Sequence, residues 1–265
     1  MNILFIGDIV GKIGRQTVKK IVPKLRKELK IDLVIANAEN SAHGSGVTEN
    51  VLDELMKAKV DFFTSGDHVF KNKKGLSAFK KYPLIRPANY PPGVPGDGYK
   101  IIKVNNKKIL IINLIGRVFM HLDYDCPFRK LDEILANINL HEKNIFAIII
   151  DIHAEATSEK VCLGHYANGR VNAVLGTHTH VMTADSKITD KNTAYISDVG
   201  MCGAYNSSLG IDHKNVIKTF LEQIKHHHEI PETGKTILNG VLIKINDKTG
   251  KTQKITPIIK FTEIK

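Results

Sequence analysis

The chain has 265 residues, of which 42% are hydrophobic and 25% charged, and this balance excludes a disordered or fibrous protein and limits the chain to one or two globular domains. Three cysteines without a Cys-x-x-Cys pair favour a reducing compartment, and no apolar run is long enough for a signal peptide or membrane span, so we expect a cytoplasmic protein with no membrane partner. The net charge of +11 suits anionic partners, but the lysines are scattered and do not alternate with aromatic residues, so nucleic acid is not an expected partner.

The first half of the chain predicts alternating strands and helices. Buried strands are predicted at "NILFIGD", "DLVIANAEN" and "DFFTSGDH". Helical periodicity is found in "GRQTVKKIVPKLRKELK", where we place Pro23 near the first turns, and in "TENVLDELMKAKV", where Thr48 is the predicted cap. This β-α-β-α-β order predicts a parallel sheet covered by helices.

The second half predicts hairpins and further strands. Hairpins are predicted at "GYKIIKVNNKKILIINLIG", turning at Asn105-Asn106, and at "NGVLIKINDKTGKTQKITPIIKF", turning at "DKTG". A helix is predicted around Phe128 to Ile138, and strands at "NIFAIIIDIHAE", "RVNAVLGTHTH" and "NTAYISDVGM"; "PANYPPGVPGDG" is a loop rather than a linker. The whole pattern predicts one α/β domain over residues 1–265, with parallel strands in the first half and antiparallel strands in the second.

Five predicted strands end in polar side chains that can bind metal. These ends read "GDIVG", "NAENSAHG", "SGDHVF", "DIHAE" and "GTHTHV". Because ligands bind at the carboxyl ends of strands in parallel α/β sheets, we expect these side chains along one rim. The candidates are Asp8, Glu39, Asn40, Asp67, His68, His153, His178 and His180.

The mixture of carboxylates and imidazoles predicts Mn, Fe or Zn rather than Mg or Ca. Seven or eight ligands exceed the needs of one ion, so two divalent ions sharing a carboxylate, about 3.5–4 Å apart, fit better. His178 and His180 are two residues apart, so on an extended segment their side chains would project to the same side. Asn40 would reach the metals only if the chain turns after Glu39. Each residue alone has a structural explanation, such as a cap for Asp8, and the recurrence at five strand ends favours the metal site.

The order "GD", "AEN", "GDH", "IH" and "GTHTH" resembles the calcineurin-like metallophosphoesterases, and more narrowly their YmdB-type bacterial branch. That branch lacks the usual histidine two residues after the first aspartate and has Glu-Asn in place of a bridging aspartate. The segments "HAEATSEK" and "ISDVGMCG" also resemble the branch, and the similarity spans essentially the whole chain. The resemblance implies a four-layer αββα sandwich with mixed sheets, a two-metal centre of iron or manganese with zinc as an alternative, and cleavage of 2′,3′- or 3′,5′-cyclic nucleotides.

The resemblance also implies a role for each candidate. The first metal would be held by Asp8, Glu39, Asn40 and His180, and the second by Glu39 as the bridge, Asp67, His153 and His178. A hydroxide bridging the two ions would attack phosphorus in line with the leaving alkoxide. His68 would stand beside the phosphate as the proton donor, a role that suits imidazole.

Asp67 departs from the family motif, which normally reads Gly-Asn-His. An ionised Asp67 would lower the net charge of the centre by one unit, so we expect tighter metal binding but weaker acidification of water and weaker attraction of phosphate. Three functions therefore stay open. A cyclic-nucleotide phosphodiesterase is favoured because His68 and the other expected ligands are retained; the alternatives are a broad phosphatase or nuclease, and a nucleotide-binding regulator whose catalysis Asp67 weakens.

Other features have simpler interpretations. His226 to His228 in "KHHHEI" are predicted at a solvated helix end, and Cys202 as a packed residue rather than a nucleophile. His43 and the glycines of "AHGSG" form either a lip over the phosphate or an ordinary loop. The resemblance suggests a homo-oligomer, but the sequence offers no heptad pattern or exposed apolar helix in its support.

Overall fold

The computed structural model describes residues 1–138 and 144–265, and in that part of the chain thirteen strands alternate with six α-helices and a 3₁₀ turn (Lys73–Gly75). The strands are β1 (Asn2–Ile6), β2 (Asp8–Ile9), β3 (Leu33–Asn37), β4 (Phe62–Thr64), β5 (Tyr99–Val104), β6 (Lys107–Ile115), β7 (Ile145–His153), β8 (Ala173–Thr177), β9 (Lys187–Ile188), β10 (Ala194–Ile196), β11 (Met201–Ala204), β12 (Gly234–Ile245) and β13 (Thr252–Ile264). The helices are α1 (Gly11–Glu28), α2 (Glu49–Lys57), α3 (Ala78–Lys81), α4 (Pro127–Asn137), α5 (Thr157–Tyr166) and α6 (His213–Glu222).

The strands form two mixed sheets. The first sheet has the order β2-β11-β12-β1-β3-β4, with β13 paired to β12, and the second has the order β5-β6-β7-β8-β10-β9. In the first sheet β1, β3 and β4 are parallel, as predicted, while β12 runs antiparallel to β1. In the second sheet β6, β7, β8 and β10 are also parallel, so the prediction of antiparallel strands in the second half is wrong for these four strands and correct for the two predicted hairpins, β5–β6 and β12–β13. The reason is that α4 and α5 return the chain across the sheet between successive strands.

Apolar residues on both faces of each sheet build the four layers. Side chains alternate along β1, so that Leu4 and Ile6 face α1 and α2 while Ile3 and Phe5 face the second sheet. On the far side of the second sheet, Ile150 packs with residues of α4 and α5. Burial on both faces explains why the strands read as continuous apolar runs. The predicted four-layer αββα sandwich with mixed sheets is confirmed.

The first predicted strand is divided in two. A side chain at Gly7 would place its Cβ 1.8 Å from the carbonyl oxygen of Gly200, so only glycine allows this close approach. After Gly7 the chain changes partner and continues as β2, which pairs with β11. Asp8 is therefore the first residue of a new short strand rather than the end of β1.

Local signals in the sequence have mixed outcomes. Thr48 caps α2 as predicted, and the hairpin turns at Asn105-Asn106, both with positive φ. Pro23 lies deep in α1, not near its first turns, because the helix begins at Gly11; the helix loses one backbone hydrogen bond there. Cys202 is fully buried among apolar side chains, as predicted.

The segment around α6 differs from both expectations for it. The helix ends at Glu222, so His226 to His228 follow it in irregular chain instead of forming its end. The helix lies wholly within the described part of the chain, none of its residues is buried, and Phe220 and Leu221 are among the most exposed apolar side chains. An exposed apolar helix therefore exists, although a homo-oligomer stays a prediction. None of the described helices has the length and hydropathy to cross a lipid bilayer.

Candidate metal centre

The carboxyl-end loops of both sheets bring all eight predicted residues together. Glu39 and Asn40 follow β3, Asp67 and His68 follow β4, and His178 and His180 follow β8; His153 is the last residue of β7, and Asp8 begins β2. Each of the eight has a side-chain atom within 4.0 Å of another member.

Four of these side chains form one compact cluster. Glu39, Asp67, His153 and His178 offer ligand atoms that all lie within 4.8 Å of one another. The centre of the cluster is His153 Nε2, which lies 3.1 Å from Glu39 Oε1, 3.2 Å from Asp67 Oδ1 and 3.0 Å from His178 Nδ1. Two imidazoles with two carboxylates suit Mn, Fe or Zn better than Mg or Ca.

A second group of potential ligands lies beside the four-residue cluster. The Oδ1 atom of Asp8 is fully buried and has no hydrogen-bond partner among the described residues; His180 Nε2 lies 3.8 Å from it. A buried carboxylate oxygen without a partner is costly, and a cation would satisfy it. Asn40 joins this group through its Nδ2, which lies 3.3 Å from His180 Nε2 and 3.2 Å from Glu39 Oε1.

Two loop geometries decide how these residues reach the centre. The chain turns directly after β3, with the Ser41 N–H donating to the Ala38 carbonyl, and this turn meets the condition that the sequence set for Asn40. Glu39 lies next to both groups, and its Oε2 accepts the backbone N–H of His68 at 2.9 Å. The prediction of an extended segment at His178 and His180 is wrong.

Both histidines of that loop have left-handed backbones, with φ of 97° at His178 and 63° at His180. They consequently face different partners, His153 and Asp8 respectively. Such conformations cost on the order of 1–3 kcal/mol each and persist only where surrounding contacts impose them. Here Asp8 Oδ2 accepts the His178 N–H at 3.1 Å, and Asp198 Oδ2 accepts the Thr179 N–H at 3.0 Å.

In His153, His178 and His180, one ring nitrogen contacts a supporting partner. The other ring nitrogen of each histidine faces the candidate metal centre. His180 Nδ1 donates to the carbonyl of Leu209 at 2.9 Å, and His178 Nε2 lies 3.1 Å from the carboxylate of Glu155. His153 Nδ1 lies 2.9 Å from the Thr177 hydroxyl, which donates to Asp151. Metal-binding histidines usually have such a partner on the second nitrogen, which fixes their tautomer.

Sequence analysis did not identify these supporting residues. Glu155 and Asp151 stand in the quoted "DIHAE" strand end, where polar residues in an apolar run were an available signal. The role of Leu209 rests on its carbonyl group, which every residue possesses, so no sequence pattern could have identified it.

The electrostatics of the four-residue cluster favour a cation. Burial lowers the pKa of His153, but the opposing effect of Glu39, Asp67 and Asp8 is larger in sum. The pKa of His153 therefore stands well above its ordinary 6.5. Burial raises the pKa of Asp67, but the hydrogen bond and charge of His153 hold it well below its usual range. The centre therefore concentrates negative charge that requires a positive partner.

The pKa of His178 is shifted in the opposite direction from that of His153. Burial, and then the charge of His153, lower the pKa of His178 to about 4. Its imidazole is neutral at physiological pH, and a neutral imidazole is the form that binds metal. Burial raises the pKa of Asp8, although the charges of His180 and His153 act in the opposite direction.

His68 lies at the edge of the centre and faces the adjoining cavity. Its side chain is 35% exposed, compared with 23% for His178 and 13% for His180. The Nδ1 atom lies 2.8 Å from Asn40 Oδ1, and the Nε2 atom lies 3.5 Å from Asp67 Oδ2. The position of this ring beside the ligands, with partial access to solvent, suits exchange of a proton with a bound molecule.

Comparison with known proteins decides the family. A model of YmdB-like proteins matches residues 4–258. The chain belongs to the YmdB-like family. A family relative from Bacillus subtilis strain 168, a 2′,3′-cyclic-nucleotide 2′-phosphodiesterase, is 47% identical over 260 residues, which cover 98% of this chain and 97% of the relative.

Solved structures agree with this membership. The crystal structure of a novel phosphatase from Mycoplasma pneumoniae has a TM-score of 0.92 and 34% identity, covering 100% of this chain and 94% of that one. A 5′-nucleotidase precursor from Thermus thermophilus, at 10% identity and a TM-score of 0.58, covers 99% of this chain and 54% of its own and shares the fold alone. The predicted membership of the YmdB-type branch is confirmed.

Proposed function

We propose that this chain is a metal-dependent phosphodiesterase that hydrolyses 2′,3′-cyclic nucleotides at a two-metal centre. The observation that carries the proposal is the convergence of two carboxylates and two histidines on one point. Beside them lies a buried oxygen of Asp8 that has no hydrogen-bond partner in the described part of the chain. The 47% identity to the Bacillus subtilis enzyme, over nearly the full length of both chains, supports the substrate class.

The proposed ligands fall into two sets that share Glu39. One set is Asp8, Glu39, Asn40 and His180; the other is Glu39, Asp67, His153 and His178. Iron or manganese is the first expectation, and zinc also suits these donors. When bound, two divalent ions lower the pKa of a water molecule and neutralise charge on the phosphate.

His68 is the proposed proton donor to the leaving oxygen. Its Nδ1 is engaged with Asn40, so Nε2 is the ring atom that remains to donate. As a water oxygen bonds to phosphorus and the bond from phosphorus to the ribose oxygen O2′ breaks, the proton passes from His68 Nε2 to O2′ and prevents a free alkoxide from forming. Opening of a 2′,3′-cyclic phosphate at O2′ yields a nucleoside 3′-monophosphate.

The test is an assay of purified protein whose metal content has been measured. Samples loaded with manganese or iron are offered 2′,3′-cyclic AMP, 3′,5′-cyclic AMP and 4-nitrophenyl phosphate. We expect the 2′,3′-cyclic substrate to be cleaved fastest. Faster cleavage of the monoester would favour a phosphatase, nucleotide binding without product would favour a regulator, and intact cyclic phosphates with both metals bound would refute the proposal.

A further inference from the structure

A cavity of about 540 Å³ adjoins the metal centre, a volume within the usual range for small-molecule sites. Part of its lining is polar and includes Glu39, Asn40 and His68. Another part, which we call the apolar wall, consists of Val10, Leu209, Ile211 and Ile230. A phosphate at the metal ligands would therefore leave space beside it that is lined by aliphatic side chains.

The apolar wall is joined directly to the proposed ligands. The Leu209 carbonyl accepts the Nδ1–H of His180 at 2.9 Å, so a residue of the wall contacts a proposed metal ligand directly. Leu209 has a φ of 55°, an unfavourable backbone conformation for leucine, and the residue is 49% exposed. Such backbone conformations persist where surrounding contacts impose them and cluster at ligand sites, which points to a functional role for Leu209.

Two glycines leave the space that the Ile230 side chain occupies in the wall. A Cβ atom on Gly44 would lie 2.4 Å from Ile230 Cδ1, and one on Gly11 would lie 3.0 Å from Ile230 Cγ2. A backbone hydrogen bond joins the two segments that carry Leu209 and Ile230: the Asp212 N–H donates to the Glu229 carbonyl at 2.7 Å. The wall is thus a preformed surface.

We propose that the apolar wall binds the face of the nucleobase, and that Leu209 sets the preference for nucleotides over cyclic phosphates without a base. This inference rests on the proposed function, which places the phosphate at the metal ligands. Uncharged aliphatic groups suit the flat apolar face of a base, and His43, Ser45 and His228 line the same cavity with polar atoms for its edges. Since contact with an aliphatic wall grows with area, a purine gains more from it than a pyrimidine.

The test compares Leu209→Ala with the unmodified enzyme on three substrates: 2′,3′-cyclic AMP, 2′,3′-cyclic UMP and glycerol 1,2-cyclic phosphate. Alanine retains the carbonyl that binds His180 and has the same backbone restriction as leucine, so only side-chain contact is removed. We expect kcat/KM to fall about tenfold for the adenine substrate, less for uracil, and by less than about twofold for the glycerol substrate. Leu221→Ala, which alters an exposed leucine of α6, is the control and should change none of the three.

The outcomes are separable. Equal losses on all three substrates would mean that Leu209 acts through His180 on the metals, and no loss on any would place the base elsewhere; either result overturns the inference. Calorimetric binding of adenosine 3′-monophosphate, compared with inorganic phosphate, gives a readout independent of turnover, and we expect Leu209→Ala to weaken only the former. Failure of the proposed function is distinct, because the unmodified, metal-loaded protein would then cleave none of the three substrates.

Discussion

Asp67 stands where the motif of the resembled family has asparagine. The chain therefore has a group that can carry a negative charge in place of a neutral amide. The contact of 3.2 Å with His153 keeps the carboxyl ionised, since it holds the pKa of Asp67 well below its usual range. A carboxylate at this place adds a negative charge next to Glu39 in a buried setting, where charges interact strongly.

We predict that Asp67→Asn raises turnover of a cyclic nucleotide at fixed metal occupancy, on the order of threefold to tenfold. The neutral amide would leave the centre more positive, so that water is more acidic and phosphate is attracted more strongly. The variant should also bind metal more weakly, which requires that metal content be matched before rates are compared. Equal or lower turnover would show that the aspartate is no handicap.

His68 supplies the second prediction for a single residue. If it protonates the leaving oxygen, His68→Ala should lower kcat on 2′,3′-cyclic AMP by about 100- to 10,000-fold. A diester of 4-nitrophenol, whose leaving group needs no proton, should lose far less. Steady-state rates on both substrates, at equal metal content, measure the difference. Similar losses on both would assign His68 to phosphate binding instead.

At the scale of elements, the loop after β8 depends on a buried ion pair. Lys160 of α5 donates to Asp198 Oδ2 at 2.8 Å, and both residues are almost fully buried. Asp198 in turn accepts hydrogen bonds from the backbone and hydroxyl of Thr179, between the two left-handed histidines. The pair therefore holds the loop that carries His178 and His180.

We predict that Lys160→Met lowers the free energy of unfolding by about 3–5 kcal/mol, because Asp198 is then a buried charge without its partner. Metal affinity should fall as well, since the loop loses its anchor. Adding Asp198→Asn to this variant removes the stranded charge and should restore part of the stability. Chemical denaturation and metal titration of the three proteins provide the measurement, and an effect under about 1 kcal/mol for Lys160→Met would contradict the account.

The elements that sequence analysis predicted well are those with strong local signals. Thr48 and the Asn105-Asn106 turn have one geometry that suits them, and both occur as predicted. The predicted direction of the strands that follow β6 in the second sheet was wrong, because direction depends on the crossovers between strands. Helix α5 provides one of these crossovers and has little amphipathic pattern by which the sequence could reveal it. The left-handed loop was missed since tertiary hydrogen bonds, not local preference, impose it.

At the scale of the whole molecule, the Asp151 carboxyl joins the two sheets behind the candidate metal centre. Asp151 belongs to β7 of the second sheet, and its Oδ2 accepts hydrogen bonds from Asn37 of β3 at 3.1 Å and from Thr64 of β4, both in the first sheet. Burial raises the pKa of Asp151 to about 7, although His153 and its hydrogen bonds act in the opposite direction.

This pKa predicts how Asp151 contributes to stability as pH changes. Well below the ordinary aspartate pKa of 3.8, the carboxyl is protonated in both the folded and unfolded chains, so ionisation costs nothing. As pH rises from about 4 to about 7, the unfolded chain ionises first and the folded state loses stability, by up to a few kcal/mol. Above that range the loss is constant.

The measurement is the free energy of unfolding of metal-free protein in chelator, for the natural chain and for Asp151→Asn, between pH 4 and pH 8. Asparagine does not titrate, so the stability of the natural chain minus that of the variant should fall with rising pH and level off near pH 7. Parallel stability curves across the range would show that the Asp151 carboxyl is not held in its neutral form.

The clustering of the eight candidate residues could be predicted from the sequence because polar residues at the ends of apolar strands share one edge of the fold. The supporting contacts could not, since the carbonyl of Leu209 and the pairing of Lys160 with Asp198 depend on chain segments brought together only by folding. The single domain over residues 1–265 and the roles of the individual ligands stay predictions.

The most direct test of the two-metal centre is anomalous diffraction from crystals of the purified protein, recorded at the absorption edges of manganese, iron and zinc. We predict two peaks about 3.5–4 Å apart, on either side of the Glu39 carboxylate. The absence of a peak, or a single ion bound away from His153 and His180, would contradict the account.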